Sequence, residues 1–307
     1  MCTAHEVALP NAVDQPPITL TCRWPKGSRP NGFVVFCHGL GSSRSDYGEL
    51  SNALAAHGYF VVHPTFPDSI ASVVAAEPEL ARLLDASHLS EWSGEPVVKA
   101  RMYEILHTPS YWVERVRIVR RVLDERGTVL ASAGRFQAQA IPCAIVGHSF
   151  GAYTSQLMAG ADIDMPGQGS TRYRDDRLQA AVLLSAQGRN QQGLRDGSWD
   201  ATTCPVMIVT GTLDRGAKGQ GWEWKSEPFT LAPPGGKYLA VLEGGDHYLG
   251  GIARADEDDG VPNHRAAIAQ LTLAFLDAHL LQSTSAALWL QSIDGLVNGC
   301  PVLFKRK

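Results

Sequence analysis

At 307 residues, 44% of them hydrophobic, the chain is long enough to build a sizeable core, and roughly three quarters of its unfolded surface should be buried. Twenty-seven Lys+Arg stand against 31 Asp+Glu with no block of like charge, so neither nucleic acid nor an anionic membrane surface is expected as a partner. No run approaches about 18 continuous apolar residues, which argues against stable membrane insertion. Residues 1–10 carry neither a basic nor an apolar leader region, so the chain as given reads as cytoplasmic, and secretion stays open if a leader was removed. Six cysteines, at 2, 22, 37, 143, 204 and 300, form no C-x-x-C pair, and neither a zinc site nor a redox pair is expected. Cys37, Cys143 and Cys204 lie in apolar runs and read as small buried hydrophobes.

Along the chain, short β-branched or aromatic runs alternate with helical patterns. Strands are expected near 18–23, 33–37, 60–63, 141–146, 180–185, 206–210 and 238–242, and helices near 45–56, 111–126, 152–158 and 264–279. This rhythm predicts an α/β fold with a mostly parallel central sheet flanked by helices, and the lack of a linker or repeat predicts one domain over 1–307. Residues 64–141 exceed what a single crossover needs, so something is inserted there. Ile70, Val73, Val74, Leu80, Leu83 and Leu84 have helical spacing, and Trp92, Tyr103 and Trp112 add aromatic bulk. The insertion reads either as amphipathic helices packed on the body or as a lid, at about 64–110, that shapes a pocket. Both readings can hold together.

The densest chemical signal is Gly147-His148-Ser149-Phe150-Gly151, directly after an apolar run. A G-x-S-x-G at a strand-to-helix turn strains the serine backbone and lifts its hydroxyl out of the sheet, which makes Ser149 a candidate nucleophile. Side chains at Gly147 and Gly151 would crowd the two elements that meet there.

A serine nucleophile needs a base, an orienting carboxylate and an oxyanion hole. His247, within Glu243-Gly244-Gly245-Asp246-His247-Tyr248 after the last apolar run, is the expected base. His264 and His279 fall in the final helical pattern, where a solvated or interfacial role is expected, and His5, His57, His88 and His107 lack a strand-end context. His148 should point away from the hydroxyl and serve local packing or hydrogen bonding. The acid should fall between nucleophile and base at a strand end, which Asp214 does; the preceding strand ends in Ser185-Ala186-Gln187-Gly188 without a carboxylate. For the oxyanion hole, Phe150 would supply one backbone N–H. Leu40 would supply the other, in the loop His38-Gly39-Leu40-Gly41. A dinucleotide reading of that loop fails because Arg44 occupies the third glycine position, and no phosphate-binding G-x-x-x-x-G-K-[ST] or zinc-binding H-E-x-x-H occurs.

Assembled, these residues resemble the α/β-hydrolase superfamily of serine esterases over nearly the whole chain. His38-Gly39-Leu40-Gly41, Val62-His63-Pro64 with Asp68-Ser69, the elbow itself and Thr272-Leu273-Ala274-Phe275-Leu276-Asp277-Ala278-His279-Leu280 are similar to the platelet-activating-factor acetylhydrolase and dienelactone-hydrolase-like branch. Two departures stand out: Ala152 follows the elbow where many relatives carry glycine, and the nucleophile is serine where true dienelactone hydrolases use cysteine. The second argues against dienelactone as substrate. The resemblance implies hydrolysis of esters of small or medium acyl groups through an acyl-enzyme, with no cofactor or metal and a small-molecule substrate as partner; oligomeric state is left open. Phe150, Leu40, Trp92, Tyr248 and Trp222 or Trp224 would make an apolar, aromatic pocket. Amide, polyester or C–C bond hydrolysis by the same triad, and a non-catalytic binding protein, are the alternatives.

Overall fold

Buried, β-branched strands set the architecture. The computed structural model describes residues 2–9, 17–84, 89–132, 141–253 and 261–307. Among the described residues, ten strands form one sheet: β1 (Cys2–Leu9), β2 (Ile18–Pro25), β3 (Gly32–Cys37), β4 (Tyr59–Pro64), β5 (Cys143–His148), β8 (Leu178–Leu184), β9 (Val206–Gly211), β10 (Lys237–Leu242), β11 (Leu296–Val297) and β12 (Cys300–Arg306). A separate hairpin pairs β6 (Asp162–Met165) with β7 (Gly169–Arg172). The sheet order is β1-β2-β4-β3-β5-β8-β9-β10-β12-β11, with every pairing from β4 to β10 parallel and the outer ones antiparallel. This is the α/β-hydrolase type of fold.

The helices are α1 (Gly48–Ala56), α2 (Ile70–Ala76), α3 (Pro78–Ala81), α4 (Pro96–His107), α5 (Pro109–Asp124), α6 (Arg126–Ser132), α7 (Phe150–Ala159), α8 (Trp222–Lys225), α9 (Glu227–Leu231), α10 (Pro262–Leu280) and α11 (Thr284–Ser292). Because side chains alternate across a strand, Phe33, Val35 and Cys37 of β3 join one core with Trp112 and Val119 of α5 and Tyr153 and Leu157 of α7. Val34 and Phe36 join the other with Leu50 and Leu54 of α1 and Ile268 and Phe275 of α10. Both faces are thus covered, which is why the central strands read as continuous apolar runs.

All seven expected strands are present. The sequence reading missed β1, the β6–β7 hairpin, β11 and β12, which have polar or interrupted patterns and extend the sheet at its edges or lie apart from it. The single helix expected over 111–126 is α5 followed by α6, with the break at Glu125. The inserted segment folds as α2, α3, a 3-10 helix (Leu89–Gly94) and α4 around a third small core of Ile70, Val73, Leu80, Val98, Met102 and Ile105, against which Leu40, Leu84 and Trp92 pack. Residues 85–88, with His88, and 133–140 lie outside the described residues.

Leu40, Ser149, Ser185, Asp214 and His247 follow β3, β5, β8, β9 and β10 respectively. All five therefore come to the carboxyl edge of the parallel strands, where open α/β sheets place their ligand crevice.

Candidate active site

Ser149 takes φ 53° and ψ −117° between β5 and α7, a region that a residue with a side chain occupies only when its surroundings force it. The force is close packing. A Cβ on Gly151 would collide with the carbonyl oxygens of Cys37 and His38, and one on Gly147 would collide with the carbonyl of Gly151. Bonds from Ser149 N–H to the Leu184 carbonyl (2.9 Å) and from Tyr153 N–H to the Ser149 carbonyl (3.0 Å) fix the turn. Phe150 opens α7, so its N–H has no intrahelical acceptor and stands at the positive end of the helix.

His247 and Asp214 sit on two loops joined to each other: Leu213 N–H donates to the Gly245 carbonyl (2.9 Å), Thr212 N–H to the Leu242 carbonyl (2.9 Å) and Gly244 N–H to the Thr212 hydroxyl (2.9 Å). The structure brings Ser149, His247 and Asp214 together. His247 Nε2 lies 3.0 Å from Ser149 Oγ, and its Nδ1 lies 3.0 Å from Asp214 Oδ1. A proton on Nδ1 satisfies the carboxylate and leaves Nε2 free to accept from the serine hydroxyl. Asp214 is fully buried and its second oxygen accepts from the Thr210 hydroxyl at 2.9 Å. Burial pushes its carboxyl up, but the hydrogen bond from His247, the Lys225 cation and the Ser185 hydroxyl outweigh that and hold it below the ordinary carboxylate range.

The Leu40 N–H makes no hydrogen bond among the described residues, which leaves it available to a ligand oxygen. Its loop is braced from behind. Fully buried Arg115 of α5 makes a two-bond ion pair with fully buried Asp68 (2.8 Å each), donates to the His38 carbonyl (2.9 Å) and to the Thr154 hydroxyl (3.3 Å), and its guanidinium lies between the Phe66 and Phe150 rings, 4.1 and 4.2 Å from their centroids. One cation thus touches both segments that carry the candidate oxyanion donors. The next residue, Gly41 at φ 77°, bonds Asp68 and Ile70 through its backbone, and a Cβ there would collide with the Trp92 indole.

His148 points away from the Ser149 hydroxyl, as expected, into a relay. Gly39 N–H donates to the Tyr47 hydroxyl (3.1 Å), the hydroxyl donates to His148 Nδ1 (2.9 Å), and His148 Nε2–H donates to the His247 carbonyl (2.8 Å). Burial and the neighbouring His247 push His148 down to about 3, so the ring is neutral. Burial likewise raises Tyr47 to about 12. His264 is interfacial and buried: its Nε2 donates to the Glu243 carbonyl at 2.9 Å, because α10 begins against the loop that leads to His247. His279 is half-buried and meets the Tyr238 hydroxyl at 3.1 Å, an interfacial position.

A cavity of about 1040 Å³ opens over Ser149 and His247. That volume exceeds what a two-carbon acyl group needs and lies at the upper end for small-molecule pockets. Leu40, Trp92, Tyr248 and Trp224 line it, but Phe150 is spent on Arg115, and Trp222 packs against the core instead. The pocket is also less apolar than the sequence suggested, since Gln187, Gln191, Lys99 and Arg215 contribute to its wall. Sequence reasoning missed Arg115, Lys225, Tyr47 and Ser185; Arg115 and Ser185 touch residues far away in sequence, while Tyr47 and Lys225 each have one partner within about a dozen residues and others much further off, and only Ser185 carried a signal, as a strand-end residue.

Among the described residues no cluster of three or more His, Cys, Asp or Glu is arranged to hold a metal ion, and no helix is long and apolar enough to cross a membrane. No curated protein matches the chain. Residues 18–92 match the family model described as platelet-activating factor acetylhydrolase, isoform II. That stretch contains the Leu40 loop, Asp68 and Trp92, but precedes Ser149, Asp214 and His247. The chain is thus an α/β-hydrolase-type protein that resembles the platelet-activating factor acetylhydrolase, isoform II, family over residues 18–92.

Proposed function

We propose that the protein is a serine hydrolase of carboxylic esters that works through an acyl-enzyme. The observation that carries this reading is the pair of 3.0 Å contacts linking Ser149, His247 and Asp214 at a strained serine on the carboxyl edge of the sheet. In the first step Ser149 Oγ attacks the acyl carbon while His247 Nε2 takes its proton, and the negative charge on the carbonyl oxygen is held by the N–H groups of Leu40 and Phe150. Collapse expels the alcohol, which receives the proton from His247. Water then attacks the acyl-enzyme by the same route and releases the acid, while Asp214 keeps the imidazole in the required tautomer. The cavity accommodates medium as well as small acyl groups, and its mixed lining suits esters with a polar substituent as well as an apolar body.

The test is turnover of a short p-nitrophenyl ester by the wild type and by Ser149→Ala. The variant should fold and lose several orders of magnitude in kcat, down to what binding and the oxyanion donors supply. An organophosphonate should label Ser149 alone. A folded variant retaining more than about a tenth of the rate, which corresponds to under about 1.4 kcal/mol of transition-state stabilisation, would refute the nucleophile.

A further inference from the structure

A buried lysine stands behind the acid, and the mechanism above does not use it. Lys225, at the end of α8, is 2% exposed; its ammonium donates to Ser185 Oγ at 3.0 Å and lies 3.7 Å from Asp214 Oδ1. Ser185 is itself held at φ 56° just after β8, with its hydroxyl 2.9 Å from His247 Nδ1. The hydroxyl thus sits between the ammonium, from which it accepts, and the Nδ1 edge of the imidazole. A lysine this deep persists as a cation only beside a matching anion, and Asp214 is that anion.

We propose that Lys225 is a positioning residue that sets the charge balance of the Asp214–His247 pair, so that the low-pH limb of catalysis lies lower than the carboxylate alone would put it. The inference rests on the triad reading. Before reaction the carboxylate and the ammonium offset each other, so protonating His247 adds a second positive charge to one small site. By way of Ser185, the ammonium is no more than about 6 Å from Nδ1, following legs of 3.0 and 2.9 Å. At an effective dielectric of about 20, repulsion across that distance shifts a protonation equilibrium by roughly 2 pH units. The other groups facing the pair do not replace this charge. His148, from β5, has its ring 5.3 Å from that of His247 but is neutral; Tyr248 stands edge-on at 5.6 Å. Arg215 donates to the Asp214 carbonyl (3.2 Å), not to its carboxylate. Asp246 accepts from the Tyr248 N–H (3.0 Å), and Glu227 of α9 pairs with Arg189 (2.9 Å). The burial that pushes the Lys225 ammonium down is opposed by Asp214, in keeping with a coupled pair.

The experiment is the pH profile of kcat/KM for the wild type, Lys225→Gln and Lys225→Arg, with Ser149→Ala alongside. Lys225→Gln should move the low-pH limb up by roughly 2 units, because the positive charge that offsets Asp214 is gone, whereas Lys225→Arg should leave it within about a third of a unit. A purely structural lysine would lower the rate at every pH without moving the limb, and that result overturns the proposal. A second measurement needs no substitution: the Nζ resonance of Lys225 in lysine-labelled wild-type protein must be that of an ammonium on the plateau, and a neutral amine there overturns the proposal as well. Turnover by Ser149→Ala would instead bring down the triad reading, so the two failures are distinguishable.

Discussion

His148 Nε2 donates a 2.8 Å hydrogen bond to the backbone carbonyl of His247, so the residue just before the elbow serine anchors the loop that carries the proposed base. The same ring accepts from Tyr47, which in turn accepts from Gly39 N–H beside the proposed oxyanion donor. Cutting this relay should disturb positioning more than binding. We expect His148→Leu to lower kcat by roughly 10- to 100-fold with KM within about threefold, since misplacing a reacting group by about an ångström costs on that order. Loss of stability should be about 1–3 kcal/mol, because the buried Tyr47 hydroxyl loses its acceptor. Steady-state kinetics beside urea unfolding measure both, and an unchanged kcat in a destabilised variant would leave His148 with packing alone.

Arg115 and Asp68 form a fully buried ion pair, and breaking one side should cost about 3–5 kcal/mol by stranding the other charge. Arg115→Leu is therefore expected to be strongly destabilised. Adding Asp68→Leu should recover most of the stability but not the rate, because the His38 carbonyl and the Phe150 ring would still lack their brace. A stable double variant with wild-type kcat would show that the brace does not position the oxyanion donors.

Trp92 and Leu84 belong to the same inserted segment but differ in what they touch. Trp92 lines the cavity and packs on Gly41; Leu84 packs against the small core of the segment and does not line the cavity. Trp92→Ala should change the ratio of kcat/KM between long and short acyl esters by roughly tenfold, as expected from differential contacts in the transition state. Leu84→Ala should lower stability by about 1–3 kcal/mol and leave that ratio flat. A chain-length series on both variants checks this, and a flat ratio for Trp92→Ala would discard the lid role.

Three fully buried histidines, His38, His63 and His148, bear on stability in acid. Burial lowers His38 to about 4 and His148 to about 3 from 6.5, and holds His63 well below 6.5. As pH falls below 6.5 the unfolded chain binds protons that the folded one does not, so stability is lost on acidification. His38 and His148 each contribute about 1.4 kcal/mol per pH unit, or roughly 3 kcal/mol per unit together between about pH 4 and 6, and His63 acts in the same direction. Urea midpoints at pH 7, 6 and 5 should fall steeply, and His63→Gln should reduce the slope. An identical slope in that variant would show that His63 does not contribute.

Much of the candidate site was legible because its signals are local. The G-x-S-x-G pattern needs only a strand before it and a helix after it, and the order Ser149, Asp214, His247 follows from each residue trailing an apolar run. Periodicity also marked the seven inner strands, since burial on both faces leaves them little choice but to be apolar. What only the tertiary structure decided are the long-range partners. Arg115 lies 47 residues from Asp68, and Lys225 lies 40 from Ser185; as residues in a sequence they look like solvated charges. Outer strands such as β1 and β12 were likewise invisible, because half-exposed pairing tolerates polar residues that inner strands cannot. The pocket followed the same rule: Trp92 and Trp224 reach it while Phe150 turns to Arg115, a choice made by packing between distant elements and not by the aromatic character of any one residue.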